Sequence, residues 1–67
     1  MNSLNQLFAR TAGQFTVFQG TDSQWYFRLR APNGETICHS EGYTSRQGVL
    51  NGINAVKTYA TGASVEG

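Results

Sequence analysis

The chain has 67 residues, enough for one small domain and too few for two. Its net charge of +1 and its 13% of charged residues argue against a protein that binds nucleic acid through a strong basic field. No apolar run approaches the ~18 residues of a membrane span, and the single cysteine, Cys38, excludes an internal disulfide. We therefore expect a cytoplasmic protein.

Residues 1–12 are predicted to form an N-terminal arm, and 13–67 a single domain. Ser3 and Gln6 have the spacing of a helix capping box, but about two helical turns are too short to hold alone in water. The arm therefore either frays or places Leu7 and Phe8 on apolar surface of the domain or of a partner.

In two segments, the side chains alternate in character along the chain as they do in β-strands. Gln14–Gln19 is β-branched and aromatic, and Trp25–Arg30 has the strongest strand pattern in the chain. The period of two separates the second segment into two faces. One face carries Trp25, Phe27 and Leu29. The other face carries Tyr26, Arg28 and Arg30.

A hairpin is predicted after the second strand. Pro32-Asn33-Gly34 is typical of a type I turn followed by a glycine in the left-handed bulge position. This three-residue loop places Ala31 opposite Glu35 and Leu29 opposite Ile37. Burial of Ile37 would contribute ~1.5–3 kcal/mol, which favours this register over that of a two-residue turn.

The same register assigns faces to the third strand. It places Cys38 beside Arg28 on the polar face and His39 opposite Phe27 at the edge of the core. Ile37 is then a core residue.

A helix is predicted over about residues 45–60, after a third strand that ends at 40–43. Thr44 and Gln47 have the spacing of a capping box. The apolar stripe of the helix consists of Val49, Ile53, Val56 and Ala60. Gly48 and Gly52 flank this stripe and predict a close approach to bulky sheet residues such as Trp25 and Phe27.

These elements predict an α+β fold, in which a three-stranded antiparallel sheet packs on one C-terminal helix. Residues 63–66 are a possible short fourth strand. The helix covers one face of the sheet and leaves the other bare.

Four segments resemble the YegP-like family, small bacterial and archaeal domains of unknown function. They are W-Y-F-R-L-R-A at 25–31, N-G-E at 33–35, S-E-G-Y-T-S-R at 40–46 and N-G-I-x-x-V-K at 51–57. The resemblance implies three antiparallel strands, one helix and usually a short last strand. It also implies a homodimer, because family members often carry this unit twice in tandem and this chain carries it once. The family has no established activity, so the resemblance supplies no catalytic residues.

The residue types present do not form a catalytic or metal site. Cys38 and His39 are neighbours on a strand, so their side chains point to opposite faces and cannot form a dyad. Glu35 and Glu41 are too far apart along the chain for a carboxylate pair. One histidine and one cysteine fall short of the four ligands that zinc requires. We predict no enzyme, no metal and no cofactor.

The bare sheet face is the most informative predicted surface. It carries Phe18, Tyr26, Arg28 and Arg30, residue types that are enriched at protein interfaces. A core of this size supplies only ~3–5 kcal/mol, so a partner is expected, and the bare face serves either the dimer contact or a separate ligand. We predict a small non-catalytic interaction module that forms a homodimer and docks on another protein, as a regulatory or phage-type inhibitor does. The alternative is a single-stranded nucleic-acid binder that uses the same face.

A structural corner is predicted where the third strand meets the helix. Its residues are Glu41, Tyr43, Thr44 and Arg46. Glu41 is expected to pair with Arg46 or to accept backbone hydrogen bonds. The free amides at the helix start are a weaker candidate for anion binding, because a helix cap usually satisfies them.

Overall fold

The computed structural model describes residues 12–67, in which three strands precede one helix. The strands are β1 (Gln14–Gln19), β2 (Trp25–Arg30) and β3 (Thr36–His39), and the helix is α1 (Arg46–Ala60). Both strand pairs are antiparallel, and the sheet order is β1-β2-β3. The predicted α+β class is therefore confirmed. Of the predicted arm, residues 1–11, with Leu7 and Phe8, lie outside the described part of the chain.

The β1–β2 hairpin follows the alternation in its sequence. Phe15 lies opposite Leu29 and Val17 opposite Phe27, so these apolar side chains share one face. The connecting turn is closed by the Gly20 N–H, which donates to the Gln24 carbonyl at 2.8 Å. Turn chemistry in the sequence and the two flanking apolar patterns thus specify the same register.

The core lies between α1 and the first two strands. Phe27, Val49 and Ile53 are buried, with exposed fractions of 4%, 0% and 9%. Partly buried side chains surround them: Phe15, Val17, Trp25, Tyr43, Leu50 and Val56. The predicted stripe on the helix is correct for Val49, Ile53 and Val56, whereas Ala60 in the last turn is exposed.

Two glycines allow α1 to approach the ring of Tyr43. A Cβ atom added at Gly52 would lie 2.6 Å from the Tyr43 Oη and 3.5 Å from the Phe27 Cε2. A Cβ atom added at Gly48 would lie 3.4 Å from the Tyr43 Cβ. The close approach to Phe27 is confirmed, but Tyr43 replaces Trp25 as the main neighbour.

The predicted three-residue loop between β2 and β3 is present. The Ala31 N–H donates to the Glu35 carbonyl at 2.8 Å, and Gly34 has a φ of 92°. The pairing beyond the loop differs from the prediction. Arg30 lies opposite Thr36 but Leu29 lies opposite Cys38, so Ile37 is an extra, bulged residue.

This bulge corrects the predicted third strand. Ile37 is 61% exposed rather than buried, and Cys38 lies opposite Leu29 rather than beside Arg28. His39 lies opposite Arg28, on the face away from the core. One inserted residue moves every later side chain to the other face. The burial gain that favoured the predicted register is missing, because α1 packs on β1 and β2 and all four β3 residues are exposed.

The corner before α1 also differs from the prediction. β3 ends at His39, and Tyr43 returns to the sheet through an isolated pair with Trp25, whose N–H donates to the Tyr43 carbonyl at 2.8 Å. The N-cap is Ser45 rather than Thr44: the Ser45 Oγ accepts the N–H of Gly48 at 3.0 Å.

The C-terminal tail adds no strand to the sheet. Residues 63–67 have no assigned secondary structure, and Val65 is 95% exposed. Across 12–67, no helix is both long and apolar enough to cross a membrane.

Candidate functional site

The sheet face opposite α1 carries aromatic and basic side chains from all three strands. We call this surface the open face, and it consists of Phe18, Tyr26, Arg28, Arg30 and His39. Phe18 lies opposite Tyr26, and His39 lies opposite Arg28. The structure thus brings together the four residues that the sequence placed on this face. It adds His39, which the sequence analysis missed because the Ile37 bulge was not foreseen.

The aromatic rings of the open face pack against one another. The rings of Phe18 and Tyr26 are stacked, with centroids 5.7 Å apart and planes at 20°. The His39 ring lies 5.6 Å from each of them, at 70° to Phe18 and at 51° to Tyr26. These separations are those of favourable aromatic pairs. The three rings therefore form one apolar floor across the strands.

The two arginines of the open face lack partners for part of their hydrogen-bonding capacity. The Arg28 guanidinium carbon lies 4.8 Å from the Phe18 ring centroid, in a cation–π contact. The Nε atoms of Arg28 and Arg30 are buried, and neither has a hydrogen-bond partner among residues 12–67. A buried donor without an acceptor is costly, and another molecule could reach these side chains only at their terminal nitrogens.

Asp22 lies in the turn before β2, at the Tyr26 end of the open face, where its carboxylate accepts two hydrogen bonds. The Tyr26 hydroxyl donates to its Oδ2, and the Gln24 N–H donates to its Oδ1 at 3.0 Å. These two bonds, the first above all, hold the pKa of Asp22 below its usual 3.8. The same hydroxyl–carboxylate bond raises the pKa of Tyr26 above its usual 10.0. The Asp22 carboxylate, which contacts the Tyr26 hydroxyl, is therefore already hydrogen-bonded.

The Asp22–Tyr26 bond predicts a loss of stability in acid. The Asp22 pKa is lower in the folded chain than in the unfolded chain, so its contribution is present above pH 3.8 and is lost as the pH falls through the folded value. We expect Asp22→Asn and Tyr26→Phe each to reduce the acid dependence of urea unfolding between about pH 2 and pH 6. Thr21→Ala, in the same turn, changes no titratable group, so it is the control and should leave that dependence unchanged. An Asp22→Asn variant with the full acid dependence would contradict this assignment.

The structural corner is held by a residue that the sequence analysis did not single out. The Ser40 Oγ accepts the Phe27 N–H and donates to the Glu41 carbonyl, both at 2.8 Å. Tyr43 packs on the helix, whereas the predicted corner residues Glu41, Thr44 and Arg46 are exposed. The alternation of side chains along the strand did not indicate Ser40, because its hydrogen bond to Phe27 depends on the shifted register of β3 against β2.

Cys38 and His39 point to opposite faces of β3, as strand geometry requires. Both side chains are exposed, and the His39 Nδ1 lies 3.1 Å from the Ser40 carbonyl oxygen. Within 12–67, no three histidine, cysteine or acidic side chains are grouped so that they could hold a metal ion.

Comparison with known proteins shows close relatives across most of the chain. Residues 21–66 match the domain of unknown function DUF1508. A UPF0339 protein from Treponema denticola is 41% identical and covers 81% of this chain and 93% of its own length. The UPF0339 protein YegP from Escherichia coli strain K12 is 45% identical over 70% of this chain, but only 43% of YegP is covered.

A solved structure has the same fold. The NMR solution structure of a protein from Haloferax volcanii matches with a TM-score of 0.77 and 33% sequence identity, covering 85% of this chain and 97% of that one. The chain thus spans nearly all of some relatives and less than half of others. The YegP-like resemblance is confirmed: the protein belongs to the UPF0339 family and matches the DUF1508 domain of unknown function.

Proposed function

We propose that the protein is a non-catalytic interaction module of the cytoplasm, which acts as a homodimer and docks on another protein through the open face. The observation that carries this proposal is the aromatic and arginine cluster on the sheet face opposite α1. Tyrosine, phenylalanine and arginine are enriched at protein interfaces, and tyrosine and arginine are frequent among the residues that contribute most to binding. A regulatory or phage-type inhibitor is one form of such a module.

The ring geometry favours a protein partner over single-stranded nucleic acid. Sheets that bind single strands offer uncovered ring faces on which bases stack. Here the rings of Phe18 and Tyr26 stack on each other, and the Arg28 guanidinium lies over Phe18. These contacts already use ring faces on which a base would stack, whereas the edges of the rings and the guanidinium groups suit a protein surface.

The homodimer is supported by the size of the core and by apolar side chains away from the open face. Among residues 12–67, the buried hydrophobic side chains are Phe27, Val49 and Ile53, and so small a core usually requires a partner. Tyr59 is 76% exposed and Val65 is 95% exposed, although the DUF1508 match extends to residue 66. We assign this C-terminal segment to the contact with a second copy. This chain matches less than half of YegP. The YegP chain is therefore long enough to contain two such units.

The charge of the open face argues against a dimer in which two open faces meet. Such a contact would enclose Arg28 and Arg30 of both copies in one interface, and like charges brought together in an interface are costly. The second copy and the docked partner therefore occupy different surfaces.

The variant Arg28→Ala/Arg30→Ala tests the docking face. Its fold should be retained, because loss of a cation–π contact and of surface charge costs about 1 kcal/mol or less. Light scattering should give a dimer for the wild type and for the variant. Affinity capture from a lysate of the source cells should retain a partner with the wild type and lose it with the variant. Arg46→Ala, which removes an exposed cation from α1, is the matched control and should retain the partner.

Three outcomes would contradict parts of this proposal. Unfolding of the double variant would assign the arginines a structural role. A monomeric wild type would remove the homodimer. Capture of the same partner by the double variant would remove the open face as the docking surface.

A further inference from the structure

We infer that the open face recognises carboxylates, and that its partner is an extended protein segment with acidic side chains at alternate positions, contacting Arg28 and Arg30. This inference rests on the proposed docking role of the open face and adds the chemistry of the partner.

The spacing of the arginines matches that of an extended chain. Arg28 and Arg30 are alternate residues of β2, so their side chains leave the same face at an interval of about 6.6–6.8 Å. Alternate side chains of an extended partner repeat at the same interval. Two acidic residues at positions i and i+2 of the partner can therefore meet both arginines. Tyr26 continues the row, so an apolar residue two positions further along would lie against the ring edges of Tyr26 and Phe18.

The guanidinium groups need acceptors that the described chain does not supply. A carboxylate that meets a guanidinium end-on accepts from both terminal nitrogens, a bidentate pairing that is strong for arginine. The Nε atoms of both arginines are buried without an acceptor among residues 12–67, so an incoming carboxylate would meet the terminal nitrogens instead. Asp22, at the Tyr26 end of the face, already accepts from Tyr26 and Gln24. The face therefore presents positive charge without an engaged counter-charge.

The neighbouring rings distinguish carboxylates from the phosphates of nucleic acid. Guanidinium groups bind both kinds of anion. Single-stranded nucleic acid gains much of its affinity from stacking of bases on free rings, and Arg28 covers Phe18 while Phe18 stacks on Tyr26. The net charge of +1 also gives little long-range attraction for a phosphate backbone. Acidic protein side chains remain the favoured partner.

An NMR titration of the whole ¹⁵N-labelled chain tests this inference. The probe is a synthetic peptide with glutamate at two alternate positions and leucine two positions further on. We expect the Nε–H signals of Arg28 and Arg30 and the backbone amides of β2 to shift, whereas the Nε–H signal of Arg46 stays in place as an internal control. A peptide with glutamine in place of glutamate should cause no shift. Arg28→Lys/Arg30→Lys, which keeps the charge but not the planar fork, should bind the acidic peptide about tenfold more weakly.

The outcomes separate this inference from the proposed function. If a short oligothymidylate binds more tightly than the acidic peptide and shifts the same signals, the partner is a nucleic acid and the inference is wrong. A second outcome is that the acidic peptide leaves both arginine signals in place, while Arg28→Ala/Arg30→Ala fails to capture the partner. The open face is then still the docking surface, but carboxylate recognition is rejected. If the captured partner is also retained by that variant, both proposals fail.

Discussion

Phe27→Ala should destabilise the domain by ~3–5 kcal/mol, the cost of removing a buried aromatic side chain. The Phe27 ring is 4% exposed and packs with Val49 and Ile53. Its edge also meets the Phe15 ring at a centroid distance of 5.6 Å and an angle of 72°. A core of this size supplies only ~3–5 kcal/mol in total, so we expect the variant to be largely unfolded at room temperature. Circular dichroism with urea titration would measure the loss.

Phe18→Ala is the matched control for the buried phenylalanine. It removes the same atoms from the adjacent strand, but Phe18 is half-buried on the open face. We expect a loss of ~1–2 kcal/mol, a folded chain and weakened capture of the partner. Equal destabilisation by the two substitutions would mean that the open face is part of the stabilising core, which would contradict its role as a docking surface.

Gly52→Leu should destabilise the domain by about 2 kcal/mol, although leucine is the better helix former by ~1 kcal/mol. The added Cβ would lie 2.6 Å from the Oη and 3.0 Å from the Cζ of Tyr43. The rest of the leucine side chain would then press on the Tyr43 and Phe27 rings and move α1 away from the sheet. The overpacking cost, about 3 kcal/mol here, exceeds the gain in helix propensity.

Two further variants separate overpacking from helix propensity. Asn54→Leu places leucine at an exposed position of the same helix, so it should leave stability unchanged or raise it. Gly52→Ala adds only the Cβ, which the Tyr43 ring must move to accommodate, so its effect should lie between those of wild type and Gly52→Leu. A raised melting temperature for Gly52→Leu would show that Tyr43 does not restrict this position.

Local patterns in the sequence were sufficient for most of the fold. Alternation over 14–19 and 25–30 predicted β1 and β2 with their faces, because side chains on a strand alternate whatever the strand packs on. The helical stripe predicted that Val49 and Ile53 are buried, since three- and four-residue spacing places side chains on one helix face. The same local argument placed four open-face residues together. They are Phe18, Tyr26, Arg28 and Arg30.

Only the tertiary structure decided the pairing of β3 and the helix cap. The hairpin loop was correctly predicted, but burial of Ile37 was assumed for a position that α1 does not cover. Without that burial, a bulge at Ile37 is tolerated, and it moves His39 onto the open face. Thr44 and Ser45 are both residue types that cap the start of a helix well. Which of them caps α1 depends on the position at which Tyr43 pairs with Trp25. The sequence alone therefore determined the elements and their faces, while contacts between distant segments determined register, because register depends on what each face meets.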